Sequence, residues 1–332
     1  MSKVTILGDG GWGTALALIL ARKEHETVLW GVFPNYLAEI RRRRENIKFL
    51  PGVKLPERIT IVSDPEQALA GAEFVILAVP SQHLRQVCVR IKPFLPDEAV
   101  VISGTKGLEI STMKRMSEVI VEVIPSSSPA VISGPSHAEE VARGQPTTVV
   151  AAAPSPEIAR RCQELLMEER FRIYTHADVV GVELGGALKN VISIAAGISD
   201  GLGFGDNTKA ALLTRGMVEI VRLGVTLGAQ QRTFWGLSGI GDLITSAFSP
   251  YGRNLKFGRL IGEGASPAAA LAATEMVVEG YRTSSAAYRL SLRQEVDMPI
   301  VREIYRVLHE NKPSLQAVHE LMTRDPKDEI AY

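Results

Sequence analysis

Val4-Thr5-Ile6-Leu7-Gly8-Asp9-Gly10-Gly11-Trp12-Gly13-Thr14-Ala15 is the stretch that decides the fold of this chain. A short apolar strand, Val4–Leu7, runs directly into the pattern G-x-G-x-x-G, and Thr14–Arg22 then carries helical spacing. Each glycine has its own reason to be there. Gly8 permits the tight turn out of the strand, Gly10 lets the backbone approach a pyrophosphate, and Gly13 lets helix and strand pack closely. The N–H groups at the helix start have no partner in the helix and face the phosphates. Strand, glycine turn and helix in that order predict a dinucleotide site.

The same alternation continues outward. Val4–Leu7, Thr27–Trp30, Ile59–Val62, Phe74–Val79, Val100–Ser103, Ala130–Ser133 and Thr147–Ala151 read as strands, several of them apolar on both faces. Thr14–Arg22, Leu84–Lys92 and Met113–Val123 read as helices between them. This implies a doubly wound, mostly parallel α/β sheet. After about residue 176 the strand signal stops, and Val180–Gly197, Lys209–Leu227, Pro267–Met276, Thr283–Leu292 and Pro299–Leu308 all read as helices. The expectation is a dinucleotide-binding domain over 1–176 and an all-α substrate domain over 177–332.

Bulk composition removes several function classes. Lysine and arginine together number 37 and so do aspartate and glutamate, so no global field selects nucleic acid or an anionic membrane. The arginines Arg41–Arg44 read as a solvated helix face. Cys88 and Cys162 are too few for a disulfide framework and too far apart for a CxxC motif, and the six histidines show no metal-ligand spacing. No metal is expected. No apolar run reads as long as the roughly 20 residues that span a bilayer, and the N-terminus lacks a secretory cleavage signal. These readings point to a cytoplasmic protein without stable membrane insertion.

The fingerprint usually comes with an acid about 20 residues on, binding the ribose hydroxyls. Trp30-Gly31-Val32-Phe33 stands there instead, with neither acid nor arginine, so the choice between NAD and NADP stays open. In the second half, Lys189 sits in Glu183-Leu184-Gly185-Gly186-Ala187-Leu188-Lys189-Asn190, with Glu183 as its nearest acid in sequence. Two glycines inside a helix cost about 1 kcal/mol each, which close approach of a backbone or ligand would explain. A lysine desolvated there has its pKa lowered toward proton transfer. Gly239-Ile240-Gly241-Asp242 suits a loop entering a cleft, and Tyr251-Gly252-Arg253-Asn254 offers a guanidinium fork for a phosphate or carboxylate. Ser103–Gly107 and Ser133–His137 follow strands, where open α/β sheets bind ligands; His137 reads as an ordinary loop histidine.

Several longer segments together resemble the bacterial NAD(P)-dependent sn-glycerol-3-phosphate dehydrogenases: Gly10-Gly11-Trp12-Gly13-Thr14-Ala15, Phe49-Leu50-Pro51, Thr105-Lys106-Gly107-Leu108, Gly134–Val141, Leu188-Lys189-Asn190-Val191, Gly205–Leu212, Gly241-Asp242-Leu243 and Arg253-Asn254. The resemblance implies a Rossmann-like domain followed by a helical domain that helps build a homodimer. It implies reduction of dihydroxyacetone phosphate to sn-glycerol 3-phosphate, a phospholipid precursor. Lys189 matches the family's proton donor and acceptor. Asp242 and Lys106, with the backbone around Gly134 and Ser136, match substrate-orienting residues, and Arg253 and Asn254 match the phosphate clamp. Gly8, Gly10, Gly11, Trp12, Gly13, Phe33, Phe49, Lys106, Ala138, Arg253, Val277 and Glu279 fall at cofactor positions.

Three positions depart from the family. Gly252 replaces a common serine, leaving a backbone N–H for the phosphate; Val32 and Phe33 replace basic residues; Phe49 replaces a frequent tyrosine. The rivals are another two-domain dehydrogenase, of the ketopantoate reductase or hydroxyacid type, and a non-catalytic NAD(H) sensor. The Arg253-Asn254 clamp and Gly205–Leu212 argue against the first, and intact Lys106, Lys189 and Asp242 against the second.

Overall fold

The computed structural model describes every residue except Glu275, Lys327 and 330–332. The chain divides into two compact units, Met1–Lys106 with Lys114–Val182, and Gly107–Met113 with Glu183–Tyr332.

The first unit is built on β1 (Lys3–Leu7), β2 (Glu26–Trp30), β3 (Ile59–Val62), β4 (Phe74–Leu77), β5 (Val100–Ser103), β6 (Ala130–Ser133), β7 (Thr147–Ala152) and β8 (Phe171–His176). They form one sheet in the order β3-β2-β1-β4-β5-β6-β7-β8, parallel except between β6 and β7. The order reverses between β1 and β4, which are paired from Val4 with Phe74 to Leu7 with Leu77. That reversal is the switch point at which such sheets bind ligands.

Helices α1 (Gly11–Arg22), α2 (Pro34–Arg43), α3 (Pro65–Leu69), α4 (Leu84–Ile91), α5 (Met116–Val123), α6 (Ala138–Ala142) and α7 (Pro156–Leu166) cover both faces. Alternate residues of β4 divide between two cores: Phe74 and Ile76 pack with α1, α6 and α7, while Val75 and Leu77 pack with α3, α4 and α5. Burial on both faces is why these strands read as continuous apolar runs. The eighth strand escaped the sequence reading because Phe171-Arg172-Ile173-Tyr174 alternates buried and exposed positions, unlike its neighbours. Cys88 and Cys162 are free and buried, and burial pushes both thiols up to about 12.

The second unit is helical: α8 (Val179–Gly201, which begins in the first unit), α9 (Asp206–Thr226), α10 (Asp242–Phe248), α11 (Arg253–Gly262), α12 (Pro267–Ala272), α13 (Glu279–Arg293), α14 (Pro299–His309) and α15 (Ser314–Met322). The helix expected over 267–276 ends at Ala272, and Glu275 within that range lies outside the described residues. One expectation is corrected: α8 has 23 residues and contains an 18-residue window of mean hydropathy 1.4, long and apolar enough to cross a membrane. Its apolar window is 89% buried inside the protein, so core packing accounts for the composition.

Candidate active site

The fingerprint loop shows why three glycines are needed. Gly8 has φ +127°, its N–H donates to the Trp30 carbonyl at 2.9 Å, and a Cβ there would lie 2.5 Å from the Ala78 oxygen. A Cβ on Gly13 would fall 2.0 Å from the Gly8 oxygen. Gly10 differs, because a Cβ there would meet no protein atom within 4 Å. Protein packing does not demand that glycine, and the open space fits a pyrophosphate approaching the backbone. Helix α1 starts at Gly11, with Gly10 as its N-cap, and not at Thr14 as expected. Gly11, Trp12 and Gly13 therefore form its first turn and aim its N–H groups at that space.

Neighbouring loops at the same sheet edge are laced together. Lys106 Nζ donates to the Gly134 carbonyl at 2.9 Å, and Ser136 Oγ donates to the same oxygen at 2.8 Å. Thr105 Oγ1 donates to the Val79 carbonyl at 2.9 Å. Gly104 has no room for a Cβ, which would sit 2.9 Å from Trp12 Nε1. Ala138 opens α6 and is buried. Phe33 caps α2 and is 65% exposed, whereas Phe49 packs edge-on against Tyr36 at 5.9 Å.

In the second unit, Lys189 projects from α8 to Asp242, the first residue of α10, with Nζ to Oδ1 at 2.9 Å. Both residues are buried, at 7% and 2% exposure. Lys189 also donates to Ser246 Oγ. The sequence expectation of a lysine with only Glu183 nearby is thus corrected: its anionic partner comes from 53 positions away. Gly185, one turn before Lys189, explains the close packing, because a Cβ there would be 2.6 Å from the Ser238 oxygen. Asp242 lies on no open loop. A π-helical turn, Leu237–Gly241, carries the chain into α10.

Arg253 and Asn254, expected from the sequence to clamp a phosphate, open α11, whose first-turn N–H groups lie outside the helix's own hydrogen-bond ladder. Gly252 caps that helix, but its N–H donates to the Ser249 carbonyl at 3.0 Å, so the donor expected to face a phosphate is engaged within the loop. A Cβ there would come 3.0 Å from the Ser246 oxygen, which leaves a serine little room. Asn254 is also a bracket. Its amide donates to Asn190 Oδ1 and accepts from Gly280 N, both at 2.9 Å, tying α8 to the start of α13. Glu279 is the first residue of α13, and Val277 lines a cavity of about 460 Å³ with Tyr281, Arg282 and His309. Among the candidates, Lys106 and Ser136 meet at the Gly134 carbonyl in the first unit, and Lys189 meets Asp242 in the second.

Residues 3–159 match the family model described as NAD-dependent glycerol-3-phosphate dehydrogenase N-terminus, and 178–319 match its C-terminal counterpart. The chain belongs to the glycerol-3-phosphate dehydrogenase family. The glycerol-3-phosphate dehydrogenase (NAD(P)+) of Carboxydothermus hydrogenoformans is 50% identical over 332 residues, covering 99% of both chains. That of Moorella thermoacetica is 50% identical over 327 residues, covering 98% of this chain and 97% of its own. The crystal structure of glycerol-3-phosphate dehydrogenase from Coxiella burnetii superimposes with a TM-score of 0.94 at 37% identity, over 97% of this chain and 99% of that one.

Within this glycerol-3-phosphate dehydrogenase frame, the sequence assigns no role to three residues that the structure ties to the site. Ser246 lies four positions after Asp242, on the same helical face, and would have been found had Asp242 been read as a helix start. Asn190 adjoins Lys189 but looked like any helical amide. Lys209 pairs with Asp200 at 2.8 Å and donates to the Ala247 carbonyl at 3.2 Å, holding the end of α10. Lys209 lies within the Gly205–Leu212 segment that carries the resemblance, but nothing in the sequence gives it a role.

Proposed function

We propose that this enzyme catalyses the reversible NAD(P)H-dependent reduction of dihydroxyacetone phosphate to sn-glycerol 3-phosphate, with Lys189 as proton donor. The observation that carries this is the buried Lys189–Asp242 pair at 2.9 Å. A buried ammonium held by a carboxylate and a hydroxyl is fixed in direction, as an acid–base group must be. When bound, the reduced nicotinamide supplies the hydride that reaches C2. Lys189 gives a proton to the oxygen forming at C2 and recovers one from solvent; in the oxidative direction its neutral amine takes that proton. Asp242 and Ser246 orient the ammonium throughout.

Gly8, Gly10, Gly11, Trp12 and Gly13 would hold the dinucleotide pyrophosphate, and Phe33, Phe49, Ala138, Val277 and Glu279 are assigned to the remainder of the cofactor. Arg253 and the first-turn amides of α11 suit a phosphate dianion, with Asn254 held in place by Asn190. Lys106, Gly134 and Ser136 are assigned to orienting the substrate. The same reading makes the enzyme a cytoplasmic homodimer serving glycerophospholipid synthesis, with a small phosphorylated molecule as its partner.

The test is oxidation of NADH and, separately, NADPH, followed at 340 nm with dihydroxyacetone phosphate. Rapid oxidation is expected with at least one. No oxidation with either, alongside measurable cofactor binding, removes the substrate assignment.

A further inference from the structure

The end of β2 lacks the acid that usually receives the adenosine ribose, yet a carboxylate stands there. It arrives from the fingerprint loop. Asp9 lies against Gly31, the first residue after β2, so closely that a Cβ on Gly31 would be 2.6 Å from Asp9 Cγ and 2.8 Å from each carboxylate oxygen. Any side chain at position 31 would displace it. The loop is fixed in this pose. Gly8 N donates to Trp30 O, and the fully buried Asn46 donates to the Asp9 carbonyl at 2.8 Å while Tyr36 donates to Asn46 Oδ1.

One oxygen of that carboxylate is also unsatisfied. Asp9 Oδ2 is buried with no hydrogen-bond partner among the described residues, an arrangement that costs free energy. Burial holds the carboxyl above the ordinary aspartate range, against the pull of its own backbone amide and of Lys48. The adjoining Val32 and Phe33 are exposed and carry no charge to receive a 2′-phosphate. A ribose 2′-hydroxyl is the donor that the corner lacks, whereas a 2′-phosphate brings a second anion against the first.

We propose that Asp9 is the cofactor-specificity residue of this enzyme, accepting a hydrogen bond from the adenosine ribose 2′-hydroxyl and selecting NAD(H) over NADP(H). This rests on the dinucleotide reading given above and adds to it the choice between the two cofactors. The acid usually found at the end of the second strand has been replaced in function by one that reaches the same corner from the turn after the first.

The experiment measures dissociation constants for NADH and NADPH by titration calorimetry on the whole enzyme, without substrate. The unaltered enzyme should bind NADH at least about tenfold tighter, the size of one discriminating charged contact. Asp9→Asn, nearly the same shape, and Asp9→Ala should narrow that ratio about tenfold, chiefly by tightening NADPH. A ratio that neither variant changes overturns the proposal and leaves dinucleotide binding standing, while failure of the unaltered enzyme to bind either cofactor overturns both. Independently of any variant, 5′-AMP should bind the unaltered enzyme tighter than adenosine 2′,5′-bisphosphate; the reverse order also overturns it.

Discussion

The fingerprint loop and the Lys189 site hold their candidate groups by opposite means. Around Gly8–Gly13 the constraint is on the backbone: a Cβ 2.0 Å from a carbonyl oxygen at Gly13, a positive φ at Gly8, and helix amides aimed outward. Around Lys189 the constraint is on side-chain charge: an ammonium and a carboxylate, brought together from α8 and α10 and buried together. A backbone constraint is written in consecutive residues. A charge constraint is written in residues far apart, and it is the one whose loss leaves an uncompensated ion.

The largest effect should therefore come from the charge cluster. Lys189→Ala should lower turnover by about 10²–10⁴, the usual range for a lost acid–base, with NADH binding nearly unchanged because no fingerprint residue is touched. It also removes the cation 2.9 Å from the buried Asp242 carboxylate, so its melting temperature should fall. Lys189→Arg separates the two effects. It keeps a cation beside Asp242, but a guanidinium does not release a proton in this pH range. It should fold normally and still lose turnover. Normal turnover in Lys189→Arg would remove Lys189 from proton transfer and leave the pair with a structural role.

A second buried charge sharpens the contrast through pH. Glu219 on α9 accepts from Ile300 N at 2.7 Å and Val301 N at 3.1 Å, capping α14 from 81 positions away. Burial pushes its carboxyl up to about 8, against the pull of those two amides. The unfolded chain releases this proton near 4.5, so between there and about 8 the folded state keeps a proton that the unfolded state has lost. Stability from this group is complete below 4.5 and declines as pH rises toward 8, by on the order of a few kcal/mol. Glu219→Gln should flatten that decline in a series of melting temperatures from pH 5 to pH 8. Equal slopes in the two proteins would show that Glu219 is ionised in the folded state.

This difference also marks how far the sequence could be read. The strand–turn–helix at Val4–Arg22 was legible because each requirement is met by a neighbour in the chain, and the apolar strands because both their faces are covered. Asp242 was visible as a polar residue directly after Gly239-Ile240-Gly241, but its helix was not, since the two glycines suggest a loop until Ser238 is seen packing on Gly185. The roles of Ser246 and Asn190 were not readable locally, because their partners lie 57 and 64 positions away. Asp9 was hidden for the reverse reason. It sat inside the recognised motif as an unspecified residue, and only the folded chain shows its carboxylate lying over Gly31.

The smallest effect tests the backbone cluster at the glycine that the protein itself does not need. Gly10 sits at the N-cap with φ −73° and ψ 177°, ordinary extended backbone for any residue, and a Cβ there meets nothing within 4 Å. Reduced freedom in the unfolded chain favours alanine slightly, and the weaker cap opposes it. Gly10→Ala should therefore leave stability within about 0.5 kcal/mol of the unaltered enzyme, while the methyl group enters the space assigned to the pyrophosphate and weakens NADH binding about tenfold. The two measurements must part company. Unchanged binding would mean that the pyrophosphate does not pass over Gly10, and a large loss of stability would mean that the open space is part of the fold and holds no ligand.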